Sequence, residues 1–121
     1  MIMQGTICSS ADNSGAKKSM CIKVLGNNKK VAKICDIIKI TVKKCAKKSK
    51  VKKGQIYNAI VVRTKYGLCR KDGTKISFLD NSIVLLDRKF EMVGTRIKGI
   101  IPLEIKETDF EEIVSLAKYV F

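Results

Sequence analysis

Histidine is absent from this 121-residue chain, and proline occurs only once. Without histidine the chain has neither a Ser-His-Asp triad nor a histidine general base. It also lacks the GxxxxGK(S/T) phosphate-binding loop and the GxGxxG dinucleotide-binding turn. The acids of the first 75 residues stand alone, so a catalytic carboxylate pair is not expected. We therefore predict no catalytic residue, no cofactor and no small-molecule substrate.

The cysteine pattern argues against a metal site and against a disulfide framework. Five cysteines stand at positions 8, 21, 35, 45 and 69, an odd number without any CxxC pair. We expect reduced thiols that pack as small apolar residues, as is usual in a reducing compartment. No stretch approaches the roughly twenty apolar residues that cross a bilayer, so we expect no membrane contact. The N-terminus shows no signal or transit peptide pattern either.

Charge is the strongest compositional signal, and it is unevenly distributed. The formal net charge is +14 and the isoelectric point is near 9.8. Residues 1–75 carry nineteen Lys or Arg and three acids, whereas residues 76–121 carry six and eight. Such a surface repels itself unless an anionic partner offsets it, so the basic part should face nucleic acid. The acidic part should face solvent or a protein.

The kind of base carries information as well. Lysine outnumbers arginine twenty-one to four. Lysine is a mobile point charge suited to phosphate, whereas the arginine fork suits bidentate base readout. The bias therefore indicates phosphate binding more than sequence reading, or else it reflects an AT-rich genome.

The densest positive segment is Lys43–Lys53, KKCAKKSKVKK, with seven lysines and no acid. A dense positive loop followed closely by a buried strand predicts a polyanion, most simply RNA, as the partner. The aromatic residues Tyr57, Tyr66 and Phe78 are few and scattered, and Phe78 is predicted to lie in the core. Recognition of folded RNA through its backbone and shape is therefore preferred over base stacking.

Hydrophobic periodicity predicts a mainly β chain. In Asp36–Lys43 the residues Ile38, Ile40 and Val42 alternate with polar ones, which indicates a half-buried strand with a cationic outer face. Asp72-Gly73 predicts a tight hairpin turn. Asp80 and Asp87, on either side of a strand, are candidates to pair with Arg88 or Lys89. The predicted strands are Met20–Leu25, Asp36–Lys43, Gln55–Thr64, Leu68–Lys71, Lys75–Phe78 and Ser82–Asp87.

Near the C-terminus the period changes to that of a helix. In Asp109–Lys118, apolar residues recur at i, i+3, i+4 and i+7, with Thr108 or Asp109 as the predicted N-cap. Short strands at close spacing and a single helix predict one domain over residues 1–121, a small closed β-barrel with a helical tail over about 104–121. Closure removes strand edges that would otherwise aggregate.

Several motifs, in this order and spacing, closely resemble one family, the universal large-subunit ribosomal protein L-fourteen in its bacterial or organellar form. The similarity runs from residue 2 to residue 120. ADNSGA, VKKG with A-IVVRT, and GTRI are specific when taken together, although each alone is weak. The matching motifs are ADNSGA at 11–16, VKKG at 51–54 with A-IVVRT at 59–64, DG at 72–73, GTRI at 94–97 and IVSLA at 113–117.

This resemblance implies a closed five-stranded β-barrel with a projecting β-hairpin and a short C-terminal helical segment. It implies a structural protein of the large ribosomal subunit that binds large-subunit rRNA and contributes to a bridge toward small-subunit rRNA. A neighbouring large-subunit protein, L-nineteen in bacteria, and a ribosome silencing factor that blocks subunit joining are the implied protein partners. The implied location is the ribosome, in a bacterial cytoplasm or inside a mitochondrion or plastid that encodes the protein.

The chain departs from the family pattern at three places. Cys35 stands where the family usually has glycine, and Lys118 replaces the usual proline. The segment Glu104–Glu112 is more acidic than usual for the family. The contacts that this segment makes with RNA and with partner proteins in the family are therefore not carried over to this chain. Two other functions remain open: a docking platform for a silencing factor, and a free-standing RNA-binding barrel.

The predicted RNA-binding residues lie mostly in loops rich in lysine, and each has a plainer alternative as a solvated turn or loop. Residues 27–33 are predicted to form the tip of the projecting hairpin. The full set is Asn13, Ser14, Lys17, Lys18, Lys23, Lys29, Lys30, Lys33, Lys39, Lys43, Lys44, Lys47, Lys48, Lys50, Lys52, Lys53, Arg63, Lys65, Arg70 and Lys71. By resemblance, Thr95, Arg96 and Ser115 match positions where the silencing factor docks. Ile97 completes this protein-binding patch, and the alternative is a loop that only caps the barrel.

Overall fold

A computed structural model describes residues 2–26 and 29–121. Eleven strands, a 3₁₀ helix at Leu103–Glu107 and one α-helix, α1 at Glu111–Leu116, make up its regular structure in those ranges. The strands are β1 Ile2–Met3, β2 Ile7–Ser10, β3 Ala16–Val24, β4 Val31–Ala32, β5 Ile37–Cys45, β6 Ile56–Arg63, β7 Leu68–Cys69, β8 Lys75–Ile76, β9 Ser82–Leu86, β10 Ile100–Ile101 and β11 Tyr119–Val120.

Five strands close into a barrel in the order β2-β3-β5-β6-β9. All neighbours are antiparallel except β2 and β9, whose parallel pairing at Ser9↔Ser82 closes the ring. Because side chains alternate along each strand, Ile38, Ile40 and Val42 all point inward and are fully buried. The predicted mainly β fold, the closed five-stranded barrel and the short helix near the C-terminus are confirmed.

A second hydrophobic cluster lies outside the barrel, against β6 and β9. There Ile60 and Val84 pack with Ile101, Ile105 and Ile113 from the C-terminal segment. The wall formed by β6 and β9 is therefore buried on both faces, which explains why its strands are nearly continuous apolar runs. We call this the covered wall.

The neighbouring wall, β3 and β5, joins the covered wall where β5 pairs with β6, and among the described residues its outer face has no such cover. Lys17, Lys23, Lys39 and Lys43 are exposed there between inward-pointing apolar residues. We call it the lysine wall. The predicted half-buried strand with a cationic outer face is confirmed, although β3 begins four residues earlier than the predicted Met20–Leu25.

The helix is shorter than predicted, at Glu111–Leu116, and its predicted N-cap is wrong. Phe110 is the N-cap, without a side-chain capping bond, and the Thr108 hydroxyl oxygen instead accepts the Phe110 N–H at 3.2 Å. The predicted buried face is confirmed: Ile113 is fully buried, and Phe110, Val114 and Ala117 pack partly buried beside it.

The hairpin of β7 and β8 confirms the turn at Asp72-Gly73, where the Asp72 carboxylate accepts the Thr74 N–H at 2.9 Å. Phe78 was predicted to be core and is only half-buried. The predicted pairing of Asp80 and Asp87 with Arg88 or Lys89 is wrong. Asp80 lies 3.4 Å from Arg63, and the Asp87 carboxylate accepts backbone N–H groups.

The predicted hairpin tip, residues 27–33, includes Asn27 and Asn28, which lie outside the described residues. The rest of it is anchored, because β4 pairs with β1 and Ala32 is fully buried in the barrel interior. Within the described ranges, no helix combines the length and the apolar character needed to cross a bilayer.

The backbone at Cys35 explains why the family usually has glycine there, and the other cysteines differ in their burial. Cys35 has a φ of 79°, in the left-handed region that glycine adopts without strain, so the family's usual glycine fits this turn better. All five thiols are free, as predicted. Cys8 and Cys21 pack in the core, but Cys69 is exposed and does not act as a buried apolar residue.

Candidate nucleic-acid interface

Two pairs of lysines lie directly opposite each other across the lysine wall. Lys18 is the register partner of Lys44, and Lys23 is the partner of Lys39. All four side chains are exposed. Like charges directly opposite each other on a sheet destabilise it. The wall therefore holds a repulsion that an anion lying across both strands would relieve.

The loop Lys43–Lys53 continues the lysine wall beyond the end of β5. Its seven lysines are all exposed, yet its backbone is held in place. The Ala46 N–H donates to the Gly15 carbonyl at 2.8 Å, and the Lys50 N–H donates to the Ser14 carbonyl at 3.0 Å. Val51 is buried in the barrel interior and anchors the far side of the loop. The positive charges thus extend from a fixed frame.

The loop 11–15, which Asp12 organises, supplies the two carbonyls that hold the loop Lys43–Lys53. Asp12 is 4% exposed, and its carboxylate accepts the Ser14 hydroxyl at 2.8 Å and the Leu85 N–H at 3.1 Å. Burial raises the pKa of the Asp12 carboxyl, against the opposing effect of these hydrogen bonds. Sequence analysis counted Asp12 only as an isolated acid and missed this role.

Asn13 joins the loop 11–15 to the segment 94–97. Its side-chain oxygen accepts the N–H groups of Thr95 at 2.7 Å and Arg96 at 3.1 Å, and its amide donates to the Thr95 hydroxyl. The Asn13 side chain was predicted to bind RNA, but it is occupied by these contacts. The predicted RNA-binding and protein-binding loops are therefore parts of one hydrogen-bonded surface.

Three predicted RNA ligands are engaged inside the protein. Ser14 is fully buried and bonds to Asp12, so its side chain is not available to a phosphate. Arg63 lies against Asp80 and donates to the Ser82 hydroxyl at 2.9 Å. Arg70 holds Glu104 at 2.7 Å and the carbonyl of Phe121. Ser14 thus holds the loop 11–15, Arg63 joins β6 to the start of β9, and Arg70 joins the β7 and β8 hairpin to the C-terminal segment.

The remaining predicted RNA ligands are all exposed lysines. Of these lysines, only Lys29 has an ion-pair partner among the described residues, namely Asp36 at 3.0 Å. The exposed set is Lys17, Lys18, Lys23, Lys29, Lys30, Lys33, Lys39, Lys43, Lys44, Lys47, Lys48, Lys50, Lys52, Lys53, Lys65 and Lys71.

The predicted protein-binding patch is only partly at the surface. Thr95, Arg96 and Ser115 are exposed, whereas Ile97 is 5% exposed and packs in the same outer cluster as Ile113. Ile97 therefore supports the patch from beneath and does not present a contact surface. Packing in one cluster holds the loop and the helix on the same side of the covered wall.

Sequence analysis missed an apolar surface at the C-terminus. Here β10 and β11 pair in parallel, and Ile100, Tyr119 and Phe121 are exposed, as are Leu103 and Leu116 nearby in sequence. Large exposed apolar patches commonly mark protein contacts. The short pairs Ile100-Ile101 and Tyr119-Val120 were the available signal, but two-residue strands are too short to show a period.

Several thiols of the protein have raised pKa values. Burial raises the pKa of Cys8 to about 12 and that of Cys35 to about 11, so both remain protonated thiols. Within residues 2–26 and 29–121, no group of three metal-ligating side chains is brought together. The arrangement is suited to holding an anion by charge.

Comparison with known protein families gives a match over the full length of the chain. The family model described as "Ribosomal protein L14p/L23e" matches residues 1–121. This match includes the loop 11–15, the loop Lys43–Lys53 and the segment 94–97, which the structure joins into one surface.

Proposed function

Because this chain belongs to the family "Ribosomal protein L14p/L23e", we propose that its lysine wall and the loop Lys43–Lys53 clamp the backbone of folded large-subunit rRNA. Membership makes the chain a structural ribosomal protein that binds rRNA in the ribosome. The proposal concerns which residues bind and how. Lysines neutralise phosphates, and the barrel fixes their spacing.

The paired lysines of the wall are the observation that carries this proposal. Lys18 with Lys44, and Lys23 with Lys39, keep like charges on adjacent strands at a cost to the free protein. A phosphate backbone crossing both strands would turn that cost into attraction, and it would release condensed counterions as it bound. Shape and backbone contacts of this kind suit folded RNA.

We further propose that the end of the barrel carrying the loop Lys43–Lys53 contributes to a bridge toward small-subunit rRNA. Two observations support this proposal. The Gly15 and Ser14 carbonyls hold the backbone of the loop in place, and the seven lysines of the loop are exposed. A fixed, strongly positive projection is suited to reach a second RNA. The chain would then operate in a bacterial cytoplasm or inside an organelle, as its motifs imply.

A second role, docking of a ribosome silencing factor, is supported by Thr95 and Arg96. Both are exposed on a segment held by Asn13, and Ser115 is exposed on α1. For the neighbouring L-nineteen type protein, the exposed apolar surface of β10 and β11 is the more suitable contact. Both partners are proposals that rest on these exposed groups.

Sedimentation of the tagged chain through a sucrose gradient tests the ribosomal role against a free-standing barrel. In moderate salt the chain should travel with the large subunit. A chain that stays at the top of the gradient, while other large-subunit proteins sediment, contradicts stable rRNA binding.

The docking role has its own test in Arg96→Ala. This variant should lose affinity for a purified silencing factor while it still sediments with the large subunit. Ser115→Ala tests the helix side of the same patch. Loss of sedimentation in Arg96→Ala would show that the segment 94–97 serves assembly and does not act as a separate docking site.

A further inference from the structure

A cleft of about 870 Å³ opens on the barrel surface beside the start of β6, near the lysine wall. Its lining includes Lys39 of β5, residues Ile56, Tyr57 and Asn58 of β6, and Arg88 and Phe90 of the turn after β9. Its volume lies in the range of ordinary ligand sites, about 300–1,000 Å³. None of the expected functions uses Arg88 or Phe90, and neither residue was a predicted ligand.

The turn after β9, which carries these two side chains, has a hydrogen-bonded backbone. The Asp87 carboxylate accepts the N–H groups of Lys89 at 2.8 Å and Glu91 at 2.9 Å, and the Phe90 N–H donates to the Asp87 carbonyl at 3.0 Å. Three hydrogen bonds thus fix the backbone of the turn over residues 87–91. Arg88 and Phe90 are exposed on this turn.

Phe90 is an unusual residue for its position. Its φ is 62°, in the left-handed region where a bulky side chain is strained and glycine or asparagine is favoured. Phe90 is 44% exposed. A strained, exposed aromatic contributes little to the fold, and an observed strain of this kind is a reason to look for function.

The charges around the cleft favour an anion. Lys39 lines it and faces Lys23 across the strand pair, and Arg88, which also lines it, is exposed. Asp87 is the single acid among the lining residues, and its carboxylate is already engaged by two backbone N–H groups. An acid-rich protein segment would match these cations too, but it would leave the exposed ring and amides unused.

Polar groups beside the ring provide hydrogen-bonding capacity. The Asn58 amide donates to the Asp87 carbonyl at 3.4 Å, and the Gln55 amide oxygen accepts the Tyr57 hydroxyl at 2.6 Å. Ile56, 63% exposed, adds an apolar surface. An aromatic ring, an apolar surface, side-chain amides and flanking cations together match a nucleobase attached to a phosphate backbone.

We propose that this cleft holds one unpaired base of the bound RNA, stacked on Phe90, with its flanking phosphates on Lys39 and Arg88. The inference rests on the proposed function, because the RNA crossing the lysine wall supplies the base. It adds a base-reading contact to a surface that otherwise reads only backbone. The sequence concealed it, because Phe90 and Tyr57 are far apart in the chain.

The test uses a single-stranded RNA hexamer that carries one 2-aminopurine, whose fluorescence falls when the base stacks. The full chain is titrated with this probe and, separately, with a folded large-subunit rRNA transcript. Phe90→Asn removes the ring and suits the positive φ, so this variant should fold at least as stably as the parent. Phe121→Asn makes the same change at an exposed phenylalanine that does not line this cleft.

The parent chain and Phe121→Asn should both quench the probe. Phe90→Asn should lose the quenching and bind the hexamer roughly tenfold more weakly. Equal quenching by Phe90→Asn and the parent, or no quenching by either, overturns the proposal. Tight binding of 2-aminopurine riboside monophosphate, equal to that of the hexamer, also overturns it, because the cleft would then be a small-molecule site.

The transcript titration separates this inference from the proposed function. If the parent chain does not bind the folded transcript, the proposed function fails. If the parent binds the transcript while the hexamer probe is unaffected by Phe90→Asn, only the cleft assignment fails.

Discussion

The two walls of the barrel share one architecture and differ in what lies outside them. On the covered wall, outward residues such as Ile60 and Val84 meet the C-terminal segment and are fully buried. On the lysine wall, the equivalent outward positions hold Lys23, Lys39 and Lys43 and face solvent. The barrel interior is common to both. The outward residues therefore decide whether a wall packs against the C-terminal segment or presents positive charge to solvent.

Five of the eleven acids lie on the C-terminal segment that packs against the covered wall. Glu104 pairs with Arg70 at 2.7 Å, which ties the 3₁₀ helix to the hairpin of β7 and β8. Glu107, Glu111 and Glu112 are exposed along the same segment. Under the proposed function, this acidic segment would repel phosphate from the covered wall and favour RNA binding on the lysine wall.

The largest expected effect comes from opening the covered wall with Ile113→Ala. Ile113 is fully buried in the outer cluster, so the change should lower the free energy of unfolding by about 2–5 kcal/mol. Leu116→Ala, on the same helix but 43% exposed, is the matched control and should cost less than about 1 kcal/mol. Urea denaturation measures both. Equal small losses would show that the C-terminal segment does not stabilise the barrel.

The next effect concerns the support of the lysine loop, and Gly15→Ala tests it. A Cβ on Gly15 would lie 2.8 Å from the Ser49 Cα, whereas a Cβ on Gly54 meets nothing within 4 Å. Both glycines have positive φ, so Gly54→Ala carries the same strain, about 1–2 kcal/mol, without the clash. Gly15→Ala should cost about 1–3 kcal/mol more in urea denaturation. Equal losses would contradict close packing of the two loops.

Asp12 gives a pH-dependent comparison. Burial raises the pKa of the Asp12 carboxyl, so between the unfolded and folded pKa values the folded chain binds more protons. This contribution to stability is present below the unfolded pKa, about 3.9, and is lost as pH rises through the folded pKa. The stability of the parent relative to Asp12→Asn should therefore fall as pH rises.

Asp72 is the matched control with the opposite sign. The Thr74 N–H lowers the pKa of its carboxyl, so its contribution is lost as pH falls. Urea midpoints of the parent, Asp12→Asn and Asp72→Asn, measured across acid to neutral pH, should diverge in opposite directions. The same pH trend for both variants would contradict the buried environment of Asp12.

The smallest effect is a gain in stability on the lysine wall. Replacing Lys23 by Gln removes the repulsion from Lys39 and should raise the free energy of unfolding of the free protein by about 0.2–1 kcal/mol at low salt. Lys118→Gln, an exposed lysine at the other end of the chain, should change it less. The gain should disappear at high salt, because screening removes the repulsion. A loss of stability would contradict the cross-strand repulsion.

The elements predicted best were those whose side chains repeat along one strand. Alternation in Asp36–Lys43 gave the correct inward face, because inside and outside differ in polarity there. The β3 boundary was missed because Ala16-Lys17-Lys18 has no apolar alternation. The two-residue strands β1 and β4 were not predicted, because two residues are too few to show an alternating pattern.

The candidate site was predictable by charge and not by contact. The lysines stood out because exposed cations cluster in sequence. The sequence did not reveal which polar residues turn inward. Asn13 finds its partner Thr95 only when two distant loops meet, and Ser14 is buried against Asp12 in the same folded loop. The cleft at Phe90 depends in the same way on strands brought together by the barrel.

The most direct test of the account is the salt dependence of binding to a large-subunit rRNA transcript. Replacing Lys47, Lys48 and Lys50 together by Gln should reduce the log-log slope by about two to three units, since each phosphate contact contributes roughly 0.7–0.9. The same change at Lys98, Lys106 and Lys118, three exposed lysines of the C-terminal part, should leave the slope near that of the parent. Equal slopes for the parent and both triple variants would contradict a phosphate clamp on the lysine side of the barrel.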